Sequence, residues 1–456
     1  MRIAVVGGGI AGLAAAFEVC DKAEVTVYEP ARLGGKLLTS EFAGRLVDEG
    51  PDAFLTRTPA AVELATAVGL GTELVAPAAG RTLVYFAGRL HPLPSGLVLG
   101  APTDIRALAT SKLLGPLGAA RAAWDLVAPA TPVGDDETVR DLIAARFGPR
   151  VADRLVEPLL GSIHAAPTAQ LSARATAPSL LATARSSRSL LAGLRKQAPA
   201  ATNSNTPVFL APRSGMSSLI ERTVEKLRSG GVRFVSQSVR SVSPPSSRVG
   251  PIDVDGEPYD GAVLAVGAPQ AARILGRLAP SGLSSVEFTD VAVATVCVSR
   301  SNLGLPDDVN GILVSPDSGM LMTACSFGSN KWPRWSSGPD QMVLRISAGR
   351  SGDTRAVNLS DEELAETLIA DLSAALRRPL TATQWRVSRW PGAFPFYRVG
   401  HLRWVDMVQS NLAGILPQVA LAGSSYNGAG IPACIASGRS AARQVSAVLS
   451  TTSAAP

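Results

Sequence analysis

The chain has 456 residues, 46% apolar and 18% charged, which suits two or three domains with a large core and argues against bulk disorder. Basic residues exceed acidic ones by 43 to 37, and the net charge of +6 is spread without a block of five like charges, so nothing points to nucleic acid as a partner. Four scattered cysteines (Cys20, Cys297, Cys325, Cys434) without C-x-x-C, and three histidines (His91, His164, His401) without H-x-x-x-H spacing, exclude a disulfide scaffold and predict no metal. A reducing cytoplasm fits this cysteine usage. Only six of the basic residues are Lys; the rest are Arg, whose forked guanidinium suits carboxylates and phosphates.

Ile3 to Phe17 carry no charge, as a signal peptide would, but Gly7, Gly8 and Gly9 interrupt them and Glu18, Asp21, Lys22 and Glu24 follow. A spanning helix needs about 20 apolar residues. The expectation is therefore no targeting segment and no transmembrane helix. Instead, a strand over Ile3–Val6 runs into Gly7-x-Gly9-x-x-Gly12 and an Ala-rich helix that includes Ile10 and Ala11. A second strand, Glu24–Tyr28, ends at Glu29 and Pro30. This is the complete dinucleotide-binding βαβ unit. Gly7 permits the tight turn, Gly9 lets the backbone approach a pyrophosphate, and Gly12 allows close helix–strand packing. The helix N-terminus offers free N–H groups to phosphate, and Glu29 can accept from ribose hydroxyls.

Further on, Gly34-Gly35-Lys36 and Val47–Phe54, containing Gly50-Pro51-Asp52-Ala53, follow Glu29. Together they resemble the flavoprotein extension of the amine oxidase and FAD-linked desaturase superfamily. The resemblance implies FAD rather than NAD, with the Gly-Pro turn near the isoalloxazine. Gly231–Ser243 reads as a strand pair and Asp260–Pro269 as a strand ending in a turn; the resemblance puts the backbone of Val239 against the adenine. Val419–Ala422 reads as a buried strand, 423–432 as a glycine loop and Ala433–Leu449 as a helix. By the same resemblance Gly423 lies near the pyrophosphate, and Gly430 and Ile431 near the flavin ring.

Between these pieces, residues 91–200 read as helices broken by prolines, Ala198–Pro207 as a linker, and Ser360–Leu376 as a helix with an acidic first turn. Five stretches in order resemble the protoporphyrinogen/coproporphyrinogen oxidase family: Tyr85–Pro94, Glu157–Ala165, Lys331-Trp332, Leu344–Arg350 and Trp390–His401. The sequence departs from the family pattern at His164, where Tyr or Phe is usual, at Ala166-Pro167, where Gly-Asp is usual, and at Phe396, where Gln is usual.

The resemblance implies an α/β fold: a discontinuous Rossmann-like FAD-binding domain (1–80, 208–272, 405–456), a mixed α+β substrate domain (81–90, 273–404) and a helical insertion (91–200). It implies non-covalent FAD, although Cys434 sits near the expected flavin edge. A tetrapyrrole is the expected substrate, O2 the acceptor, and a ferrochelatase a transient partner. The cofactor carries the redox chemistry, so no catalytic residue is named. Substrate-binding candidates are Arg81, Ser162, Ile163, His164 and Tyr397, with Lys331 and Arg345 as further carboxylate partners. Coproporphyrinogen III oxidation in haem synthesis is the reading; protoporphyrinogen IX oxidation, amine oxidation, carotenoid desaturation and a scaffold without turnover stay open.

Overall fold

The computed structural model describes residues 1–197, 207–245, 250–336, 338 and 340–453. Five short strands from four separate stretches of chain form one parallel sheet. Their order is Arg233–Val235, Glu24–Tyr28, Arg2–Val6, Gly261–Leu264 and Val419–Leu421. These strands are nearly continuous runs of β-branched and small apolar residues, as expected when both faces are covered. Ile3, Val5, Val25, Val27 and Val263 face one buried cluster; Ala4, Val6, Ala262 and Leu264 face the other. Each fully buried Val or Ile contributes about 1.5–3 kcal/mol. The helices Ile10–Val19 and Ile431–Ser453 lie together on the first face.

A seven-stranded mixed sheet forms the second layer. Its order is Ala382–Pro395, Phe288–Ser299, Gln341–Ala348, Met322–Phe327, Val309–Val314, Arg81–Phe86 and Arg89–Pro92. The helix Asp361–Leu376 covers one of its faces. That helix starts as its sequence predicts: the Ser360 hydroxyl accepts from the Glu363 N–H, and the Glu363 carboxylate accepts from the Ser360 N–H. A third core, built largely from residues 101–194, holds the helical segments.

Two expectations change. Residues 231–243 do not form a pair: Arg233–Val235 joins the five-stranded sheet, whereas Val242–Ser243 joins a separate three-stranded sheet. The stretch after residue 91 opens with the short strands Leu97–Val98 and Ala101–Pro102 before its first helix at Ile105. The linker reading, 198–207, lies outside the described residues except at Pro207. Among the described residues no helix is long and apolar enough to cross a membrane.

One segment has unusual geometry. Ala152–Gly161 runs as a π-helix with Pro158 inside it. Pro has no N–H to donate, and wide turns of this kind are frequent at functional sites. The Glu157 carboxylate closes the segment by accepting from the Thr168 N–H at 2.8 Å and from its hydroxyl. The segment leads into Ser162–His164 and a left-handed Ala165, between the helical core and the seven-stranded sheet.

Candidate active site

The glycines of the first motif do different things. Gly7 has φ +107°, donates its N–H to the Tyr28 carbonyl at 2.8 Å, and has no room for a Cβ, which would stand 2.5 Å from the Ala265 carbonyl oxygen. Gly12 is pressed against the Gly7 carbonyl. At Gly9 a Cβ would meet no protein atom within 4 Å, and no side chain caps the helix that starts after it. The backbone at Gly9 thus opens onto free space at the helix N-terminus, while Ile10 and Ala11 behind it are buried. Gly423 repeats this arrangement: φ is +112° and its Cβ would also meet nothing. Its N–H donates to Ser437 at 3.1 Å in the terminal helix. The two helices touch at Gly438, which lies on the Ala11 carbonyl. Gly9 stands at the N-terminus of one of these adjoining helices, and Gly423 opens the loop that leads into the other at Ile431, a geometry suited to a diphosphate.

Glu29 ends its strand beside this cradle. Its carboxylate accepts from the Gly8 N–H at 2.8 Å and from the Ala31 N–H at 3.0 Å. Pro30 is exposed beyond it. A groove of about 490 Å³ runs from Glu29 past Gly35 to Glu49 and Trp390. Gly34 (φ +100°) and Gly35 (φ +57°) both need left-handed backbone. Gly50 packs on the Lys36 carbonyl, so the Gly50-Pro51-Asp52-Ala53 turn is held against the Gly34-Gly35-Lys36 loop. Val239 is buried against the far face of the five-stranded sheet.

Below the turn lies an ionic network. Lys331 reaches Asp52 at 3.0 Å, and the Trp332 indole N–H donates to the same oxygen at 3.0 Å. Burial would raise the Asp52 carboxyl, but Lys331 and Arg345 outweigh it and hold it well below the usual range. Arg345 donates to the Glu49 carbonyl at 3.3 Å. Arg334 pairs with the fully buried Asp48. Lys331 and Arg345 are thus engaged with the turn.

A second cluster gathers around Lys36. Its ammonium donates to the carbonyls of Gly392, at 2.8 Å, and Ala393, and burial lowers its basicity. The buried Cys434 feels Lys36 and Tyr397 electrostatically. Desolvation pushes its thiol up to about 11, and its sulfur lies 3.7 Å from the Gly428 and Ala429 carbonyls. Tyr397 is buried and donates to the Ser424 carbonyl. His401 packs at a tilt of 37° on Tyr397, ring centres 4.4 Å apart, and donates from Nε2 to the Tyr426 carbonyl at 2.9 Å. His164 stands 6.5 Å from Tyr397 on the other side, and burial lowers it to about 4, so it is neutral near pH 7. Ser162 contacts the Thr323 carbonyl at 3.4 Å, and Ile163 is exposed.

Sequence reasoning grouped most of these residues. Arg81 stands apart: it is exposed and chelates Asp308 through two contacts of 2.7 Å. The carbonyls that hold Lys36, the Glu157–Thr168 closure and the place of Arg350 at the edge of a small cavity beside Glu157 and Ser162 were not read from the sequence. No local pattern marks these features, although Arg350 does follow Gly349, a strand-end glycine with φ +119°.

Two adjoining helices, open glycines at Gly9 and Gly423 ahead of them, and a groove from Glu29 to Glu49 and Trp390 define a dinucleotide-binding fold. The sequence profile of the flavin-containing amine oxidoreductases matches residues 10–446. A Bacillus subtilis (strain 168) protein named coproporphyrinogen III oxidase is 32% identical over 96% of this chain and 97% of its own. Its namesake from Mycobacterium tuberculosis (strain H37Rv) is 34% identical over 97% of both. A crystal structure from Exiguobacterium sp. 255-15, assigned provisionally as a protoporphyrinogen oxidase, superposes with a TM-score of 0.87 at 29% identity over 99% of both chains. Cyclohexylamine oxidase from Brevibacterium oxydans, with a TM-score of 0.67 at 16% identity over 98% of this chain and 99% of its own, shares the fold. The chain belongs to the flavin-containing amine oxidoreductases and, within them, to the family of the bacterial coproporphyrinogen III oxidases. Its cofactor is a flavin.

Proposed function

We propose that this chain is a cytoplasmic, FAD-dependent oxidase that converts coproporphyrinogen III to coproporphyrin III in haem synthesis. Six electrons and six protons leave the macrocycle, and three O2 become three H2O2. The observation that carries the reading is the end-to-end similarity to proteins named for that reaction.

The residues present fit FAD. Gly9, Gly423 and the first turns behind them would take the pyrophosphate, and Glu29 the ribose hydroxyls. Gly50-Pro51, Lys36, Gly430 and Ile431 would border the ring. Bound FAD supplies a two-electron acceptor, used three times per substrate. The Cys434 thiol, raised to about 11, stays protonated and is held by backbone carbonyls, which supports non-covalent binding.

The chain's own contribution is binding and desolvation. His164, Tyr397 and His401 form a ring-rich wall, and the two histidines are kept basic-site neutral by burial. Such a wall suits a flat, largely apolar macrocycle. Lys36 places a fixed cation near Cys434. None of these groups needs to act as a base, since the substrate's own pyrrole N–H groups release protons.

The test is aerobic oxidation by the FAD-loaded protein, with coproporphyrinogen III and protoporphyrinogen IX in parallel, followed by porphyrin fluorescence and peroxide. Faster oxidation of coproporphyrinogen III, with three peroxides per porphyrin, is expected. Equal or reversed rates would move the assignment to protoporphyrinogen. Bound FAD with neither substrate oxidised above the spontaneous rate would overturn the porphyrinogen reading.

A further inference from the structure

A cavity of about 330 Å³ lies where the π-helical segment meets the end of the strand Gln341–Ala348. Its walls include Glu157, Gly161, Ser162, Ala166, Arg350 and Asp353. Ligand pockets run from roughly 300 to 1,000 Å³. This one is at the small end: too small for a tetrapyrrole, large enough for one of its arms. Ser162 is two positions before His164, whose ring stands 6.5 Å from that of Tyr397, so the cavity opens beside the stretch that carries the ring-rich wall.

The charges in the cavity are unevenly committed. Glu157 is taken up by the N–H and hydroxyl of Thr168. Asp353 is taken up by Arg355, through its backbone N–H at 3.0 Å and its guanidinium at 2.7 Å. Arg350 makes one hydrogen bond, from Nη2 to the Val314 carbonyl at 2.7 Å, and no ion pair among the described residues. It is largely withdrawn from solvent all the same. Burial lowers its basicity, which Glu157 and Asp353 offset only in part. A partly desolvated guanidinium with unused N–H groups facing a cavity is a receptor for a carboxylate, which it can hold through two parallel hydrogen bonds.

We propose that this cavity is a carboxylate site, in which Arg350 grips one propionate arm of the substrate while Ser351 offers a hydroxyl beside it. The proposal rests on the porphyrinogen reading above and adds the site that reads the substrate's carboxylates. Arg350 acts here as a binding and specificity residue, remote from the redox step.

The test is the affinity of the FAD-loaded protein for coproporphyrin III, with four propionates, and for etioporphyrin, which has none, by fluorescence quenching. Arg350→Gln should weaken coproporphyrin III about tenfold, the value of one charge-assisted contact, and leave etioporphyrin unchanged. Arg350→Lys should recover part of the loss, and Arg222→Gln, in an exposed pair with Glu225, should lose nothing. FAD content reports folding of each variant. Unchanged coproporphyrin III binding in a flavin-loaded Arg350→Gln protein overturns the carboxylate site alone. Loss of both porphyrins to the same degree also overturns it, because the side chain would then be shaping the wall. Failure of the unaltered protein to bind either porphyrin overturns the underlying reading with it.

Discussion

Gly438 of the terminal helix rests directly on the carbonyl of Ala11 in the first helix. The contact joins two helices whose first residues, Ile10 and Ile431, are 421 positions apart in the chain. Overpacking such a contact costs about 1–3 kcal/mol. Gly438→Ala should therefore lower the thermal midpoint and release flavin together. Gly9→Ala should behave differently, because its Cβ meets no protein atom and Gly9 has ordinary negative φ. Its melt should match that of the unaltered apoprotein while its flavin content collapses. Circular-dichroism melts and flavin absorbance per chain check both; equal destabilisation by the two changes would count against an open cradle at Gly9.

The Asp52–Lys331 pair joins the Gly50 turn to the seven-stranded sheet. Removing Asp52 leaves Lys331 and Arg345 without their carboxylate in a half-buried place. Asp52→Ala should cost about 2 kcal/mol, a buried-pair penalty reduced for partial solvent access. Asp52→Ala combined with Lys331→Met should cost less than the sum of the single changes. Urea unfolding of the four proteins measures the coupling, and strict additivity would mean that the pair contributes nothing.

His164 makes stability depend on pH. It titrates at about 4 when folded, against 6.5 for an ordinary histidine. As pH falls from 6.5 towards 4, the unfolded chain gains a proton that the folded chain refuses, so stability is lost with acid. The loss from this one group is up to about 3 kcal/mol. His164→Gln should flatten that part of the curve between pH 6.5 and 4.5 in urea midpoints, and leave the difference near pH 8 small. An unaltered slope would mean that His164 titrates normally.

Ser360→Ala removes the cap of the helix Asp361–Leu376. A cost of about 1 kcal/mol is expected, with flavin content and turnover unchanged, because the helix packs into the apolar core of the seven-stranded sheet and supplies no residue to the groove beside Glu29. A differential scanning melt checks the first part and the fluorescence assay the second.

Some of this molecule was legible before any coordinates. The βαβ unit at the N-terminus is local: a β-branched run, three spaced glycines, an Ala-rich helix and a strand ending in Glu29 each follow from backbone sterics and periodicity within 30 residues. The terminal strand–loop–helix and the capped helix after Ser360 were legible for the same reason. The supposed strand pair in 231–243 was not, because both strands are two or three residues long and their partners lie elsewhere.

What the sequence by itself determined is therefore the kind of ligand and the local elements that meet it. Glycine spacing and helix starts act through the backbone, whose preferences do not wait for distant contacts. Tertiary structure decided which side chains are free. Arg81 and Arg350 are the same residue type, and each directly follows an Ala-Gly pair in the chain. Folding set Arg81 against Asp308 in solvent, and left Arg350 beside a cavity whose carboxylates are already taken. Lys36 likewise met its carbonyl partners at Gly392 and Ala393 only when the first loop was laid on the far end of the second sheet. Charge, burial and partner choice are properties of the packed interior, where a group's neighbours come from hundreds of residues away, and no spacing in the sequence encodes them.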